Sequence, residues 1–236
     1  MPPMKVPQIP RMWIFIGVDF RSPGARPARD YTAGMNALRE QLAAAAARLI
    51  VEDGLDYAGA KRRALHQLLG AGAHAEQLPD NADVRAQVEQ YLALFERDEH
   101  PQRLRQLRAA ALDLMEAFAE FRPYLAGAVW NGTATAHSGL HVLLFTDNSK
   151  AVDIHCINRG MRYRVTQAPH YAGRAPVECL EFDWPLADGT QRVAASVSVY
   201  PAKDERGVLR NGSRGGVAER GSLDAVRALV RAGGTP

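Results

Sequence analysis

At Pro123 the chain changes rhythm. Before it, apolar residues recur at three- and four-residue intervals; after it, they come in short runs broken by turn residues. Leu38, Leu42, Ala45, Ala46, Leu49 and Ile50 mark a first helix running from Tyr31, with Gly54 where a C-terminal cap belongs. Asp56 reads as the N-cap of a second, YAGAKRRALHQLL, closed by Gly70. Leu78-Pro79-Asp80-Asn81 opens a third, and a fourth starts near Pro101 and stops before Pro123. Strands are then predicted over Leu125–Trp130, His141–Phe145, Met161–Thr166, Val177–Trp184 and Val193–Tyr200, the last two joined by a turn at Asp188-Gly189. Asn148–Asn158 has helical spacing, and a closing helix over Ser222–Val230 begins with a Ser cap. Helices first and strands after is segregation, not alternation. The expected class is therefore α+β, an N-terminal helical region followed by a small mixed β-sheet with flanking helices.

A chain of 236 residues, 47% hydrophobic and 23% charged, has the length for a sizeable core. Residues 1–29, rich in Pro, Gly and Arg, read as a mobile tail, in which Trp13, Ile14 and Phe15 offer a short strand. The helical region is taken as 30–100 and the remaining domain as 101–236. No apolar run reaches the roughly 18 residues a bilayer span needs, and Met12–Val18 is too short for a secretion signal. The expected location is cytoplasmic, with no membrane partner. Cys156 and Cys179 have neither CxxC spacing nor a second pair, which suits reduced, partly buried thiols. Residues 30–122 carry 11 Lys/Arg against 15 Asp/Glu and residues 123–236 carry 13 against 10, an acidic helical region before a mildly basic one. That balance permits a phosphate-bearing ligand without demanding it.

The stretch GTATAHSGLHVLLF, Gly132 to Phe145, carries the chemical signal. A Gly-Thr turn lets backbone approach phosphates and offers amide and hydroxyl donors. Two residues two apart on the following strand share a face, the arrangement by which paired carboxylates hold magnesium against a triphosphate. With these parts in this order, the segment resembles the polymerase-beta-like nucleotidyltransferase superfamily, in which a strand ends in Gly-Ser or Gly-Thr and the next carries Asp-x-Asp or Asp-x-Glu. Here those two positions hold Gly139 and His141. The segments AGAKRRALHQLLG, LPDN and FRPYLAGAVWNGTATAHS are also similar to a group of uncharacterised bacterial nucleotidyltransferase-like proteins, where Asp is expected at the place of Gly139. The resemblance implies a nucleotidyltransferase-like sheet from the fourth helix through Tyr200. It also implies a third carboxylate on a later strand, where Ser196 or Ser198 stands; Glu178, Glu181 and Asp183 are the displaced alternatives.

The resemblance names Gly132, Thr133, Ser138 and Lys150 as nucleotide-binding candidates. Thr133 and Ser138 would donate to a phosphate from the loop, or cap a tight turn through local bonds. Lys150, Arg159, Arg162 and Arg164 would line an anion groove or form a solvated surface. His137 and His141 invite a transition-metal reading that a loop-and-strand spacing does not favour. Lys61, Arg62 and Arg63 fan around the second helix as solvent-facing charges, and the Gly/Arg segment 206–220 reads as a connecting loop. Without Gly-x-Ser-x-Gly or His-Glu-x-x-His, and with Cys156 merely adjacent to His155, hydrolase chemistry has no support. Two functions are carried forward. One is a nucleotidyltransferase-like protein, weak or inactive in metal-dependent transfer, with nucleoside triphosphate as possible ligand and magnesium a doubtful one. The other is a module that binds a protein through the acidic helical region; nucleic acid is not an expected partner.

Overall fold

The computed structural model describes residues 28–70, 78–171, 173–186, 189–206 and 220–233. The expected tail, the Trp13–Phe15 strand and most of the 206–220 loop lie outside these residues, as does Asp188 of the hairpin turn. Contacts divide the chain into units 1–36 and 37–236, and apart from residues 28–36, which begin the first helix, everything below concerns the second.

Three helices come first: α1 (Ala28–Asp53), α2 (Tyr57–Leu69) and α3 (Asn81–Phe95). Their caps are those read from sequence. Asp56 accepts from Gly59 N–H at 2.9 Å and Asp80 from Asp83 N–H at 2.8 Å, while Gly54 and Gly70 adopt positive φ. Leu42, Ala46, Ile50, Ala64, Val84, Val88 and Leu92 form a core of their own among these helices. Lys61 is not simply solvent-facing: its ammonium donates to Pro79 O (3.2 Å) and Asn81 Oδ1 (2.8 Å), tying α2 to the start of α3.

α4 (Glu99–Ala117) leads through a short 3-10 turn to Arg122, whose φ of 50° is the one positive value outside glycine among the described residues. That conformation costs on the order of 1 kcal/mol. Bonds from its guanidinium to Glu205 (2.8 Å) and Phe145 O (3.2 Å) hold it.

The sheet follows: β1 (Tyr124–Ala126), β2 (Leu140–Phe145), β3 (Arg164–Ala168), β4 (Val177–Pro185), β5 (Arg192–Tyr200) and β6 (Arg220–Ser222), in spatial order β3-β4-β5-β2-β1-β6. β2 and β5 pair in parallel and every other pair is antiparallel, so the sheet is mixed as expected. Between strands lie α5 (Gly127–Asn131), α6 (Ser149–Asn158) and, after β6, α7 (Leu223–Arg231). This is an α+β fold with an N-terminal helical region.

The first helix starts three residues before the expected Tyr31, β6 is not among the expected strands, and two strands differ from the sequence reading. The expected strand Leu125–Trp130 stops at Ala126 and turns into α5, because Gly127 at φ 72° breaks the extended run and Trp130 swings onto β6. A Cβ on Gly221 would lie 2.1 Å from the Trp130 ring, so only glycine admits that packing. The expected strand Met161–Thr166 begins at Arg164 instead: Met161 N–H closes α6 on Cys156 O, and Tyr163 reaches back to Asp153.

Alternation splits the sheet into unlike faces. Leu140, Val142, Leu144, Leu180, Phe182, Ala195, Val197 and Val199 join Leu107, Ala111, Leu114 and Met115 of α4, Val152 and Cys156 of α6, and Val226 of α7 in one apolar cluster. Both cysteines are free and buried, and burial pushes the Cys156 thiol up to about 11. The opposite face carries Phe145, Val177 and Tyr200 at one end and polar residues at the other.

Candidate functional site

Gly132 ends α5 in the left-handed conformation (φ 83°), with its N–H on Ala128 O, as a turn-forming glycine should. Beneath it lies Arg108. This α4 side chain is 1% exposed and donates from Nε to Val129 O (3.2 Å) and from Nη2 to Trp130 O (3.3 Å), capping the carbonyl end of α5. Burial pulls its pKa down. The sequence reading did not single out Arg108, yet a signal existed: it occupies a position on the apolar stripe formed by Leu104, Leu107, Ala111, Leu114 and Met115.

Thr133 turns inward. It is 2% exposed and its side chain is hydrogen-bonded to Tyr57 of α2, so it presents no hydroxyl to a surface ligand. Ser138 closes the loop locally: its Oγ accepts the Thr135 N–H at 2.9 Å, and Thr135 Oγ1 accepts the His137 N–H at 3.1 Å. The imidazole of His137 packs on Gly54 and meets Glu52 O at 3.1 Å, joining the loop to the end of α1. Lys150 is exposed in the first turn of α6, beyond the far end of β2. Six strand residues, about 17 Å, separate it from Ser138. The structure therefore does not bring the four candidates together: Gly132 shapes a turn, Thr133 is interior, Ser138 lines a cleft, and Lys150 stands apart.

That cleft, of about 410 Å³, lies between the first turns of α4 (Glu99, Gln102, Arg103, Gln106), the loop at Thr135 and Ser138, and the β4–β5 hairpin at Leu186 and Val193. Val193 is two residues before Ala195 and so shares the helix-facing side of β5, and the cleft opens on the helix-covered side of the sheet.

The positions of the expected carboxylates are on the other side. The parallel register of β2 and β5 sets Ser196 beside His141, and His141 Nδ1 meets Ser196 Oγ at 2.7 Å. Glu181 is the next residue across in β4; its carboxylate accepts from Thr166 Oγ1 (3.2 Å) and faces Arg164 (3.5 Å). Desolvation by the surrounding strands lowers the His141 pKa, although part of the ring still meets solvent. Gly139 is walled in: a Cβ there would stand 2.7 Å from the Ala194 carbonyl oxygen, and a carboxylate side chain has no room without backbone movement. Among the displaced alternatives, Glu178 pairs with Val199 and so points to the helix side, where burial, aided by Asp153, raises its pKa. Asp183 sits in the row of Gly139 but two strands away, about 10 Å. An imidazole nitrogen and a hydroxyl do not fit magnesium, which asks for about six oxygens in octahedral array. Among the described residues no group of three His, Cys, Asp or Glu side chains is gathered for a metal.

Arg162, which precedes β3, and Arg164 within it are both exposed. No helix among the described residues is long and apolar enough to cross a membrane. Comparison with family models, with curated proteins and with solved structures finds no match.

Proposed function

We propose that this chain is a nucleotidyltransferase-like protein that binds nucleotide and does not carry out metal-dependent transfer, and that it works in the cytoplasm. The observation that carries the reading is the His141–Ser196 hydrogen bond of 2.7 Å. On the open face, where metal-dependent members of that superfamily place carboxylates, an imidazole and a hydroxyl satisfy each other. Transfer without preorganised cations forfeits the electrostatic stabilisation of the leaving pyrophosphate. Further support comes from the order α4, β1, left-handed Gly132, β2, with β5 laid parallel to β2. Calorimetric titration of the four ribonucleoside triphosphates, first with magnesium and then with chelator, tests it. Binding indifferent to the chelator, with no nucleotide transfer, is expected; robust magnesium-dependent transfer by the purified protein overturns it.

A second reading, protein binding through the helical region, is favoured by Leu94 (76% exposed) and Phe95 (65%) at the end of α3. Adjacent exposed apolar side chains of that size are a common mark of an interaction surface.

A further inference from the structure

We propose that the cleft beside Ser138 is a nucleoside site: it takes an uncharged, planar, hydrogen-bonding heterocycle and leaves any phosphate chain in solvent. This rests on the reading that the chain binds nucleotide, and it names which part of the nucleotide is held.

The cleft sets hydrogen-bonding side chains beside apolar ones. Glu99, Gln102, Arg103 and Gln106 recur at three- and four-residue spacing, so one side of α4 supplies a wall. Leu107, Leu186 and Val193 supply apolar surface, and a volume of about 410 Å³ falls within the range of small-molecule sites. Gln102 and Gln106 are exposed and make no side-chain hydrogen bond among the described residues, so two amides, each both donor and acceptor, are available at the wall. Such amides match the paired donor and acceptor edge of a base.

Charge excludes the alternative. The Arg103 guanidinium is taken by Glu96 (2.5 Å) and Glu99 (3.6 Å), and Arg192 donates through Nη2 to Asp183 O. The charges of Glu96, Glu99, Arg103 and Arg192 sum to zero, and Glu99 is itself a lining residue. A triphosphate entering there meets no net positive charge.

The full-length protein is titrated calorimetrically with adenosine, guanosine, cytidine and uridine and with the matching triphosphates, in chelator, at low and at high salt. At least one nucleoside and its triphosphate are expected to bind within about threefold of each other, with little salt dependence. Gln102→Ala combined with Gln106→Ala should weaken both by about tenfold or more while the urea midpoint stays in place, since both residues are exposed. A triphosphate that binds about tenfold tighter than its nucleoside and weakens with salt overturns this inference and leaves nucleotide binding standing. Nucleoside binding unchanged in the double variant overturns the location. No binding by any of the eight compounds overturns both the inference and the nucleotide reading.

Discussion

The two faces of the sheet obey different rules. On the helix-covered face Leu140, Val142, Leu144, Ala195 and Val197 are 0–3% exposed and belong to one apolar cluster. On the open face His141 is bonded to Ser196 and Thr166 to Glu181, and Ser196 stands opposite Glu181 in the register of β5 and β4. Each face is thus tolerant of a different error. The covered face has no slack for volume, since its interior is packed like a crystal; the open face has slack for volume except at Gly139, where an added Cβ meets the Ala194 carbonyl.

Leu144→Ala should break the covered face most severely. Leu144 is fully buried, and a leucine-to-alanine cavity costs about 3 kcal/mol. Urea unfolding measures it, and a loss below about 1 kcal/mol would mean that the helices relax onto the sheet. Gly139→Asp, the substitution that restores a carboxylate, should come next at about 2 kcal/mol, because its Cβ collides with the Ala194 carbonyl. The same unfolding experiment decides it, and an unchanged midpoint would show that β2 and β5 separate easily at that end. Ser196→Ala should have the smallest effect, about 1 kcal/mol or less, since its partner can turn to water. The His141 signal in an NMR titration sharpens the contrast. Burial lowers its pKa below the ordinary value of about 6.5. The folded state then binds fewer protons than the unfolded one, so this contribution to stability is present above about pH 6.5 and is lost as pH falls through the lowered value. A His141 that titrates above the ordinary value would reverse that sign.

What could be read in advance was local. Asp56, Asp80 and Ser222 each cap the helix assigned to them, because a cap depends on a residue three positions away. The run from Leu125 to Trp130 misled because six apolar residues fit strand or helix alike, and the choice was made by Gly127 and by Gly221, ninety-odd positions on, receiving the Trp130 ring. Thr133 was legible as a turn residue but not as a buried one, since the Tyr57 that covers it belongs to a helix in the other core. Ser196 was rightly placed on a late strand. Its contact with His141 needed the parallel register, which no local pattern encodes.

The parallel pairing of β2 with β5 also governs how the molecule comes into being. His141 and Ser196 are 55 positions apart, and no hairpin can join parallel strands. Closing so long a loop is slow compared with zipping β3, β4 and β5 into successive hairpins. During synthesis, β2 therefore waits with its apolar LHVLLF segment open along one edge until β5 has emerged. For that interval the chain is most exposed to sticking to itself.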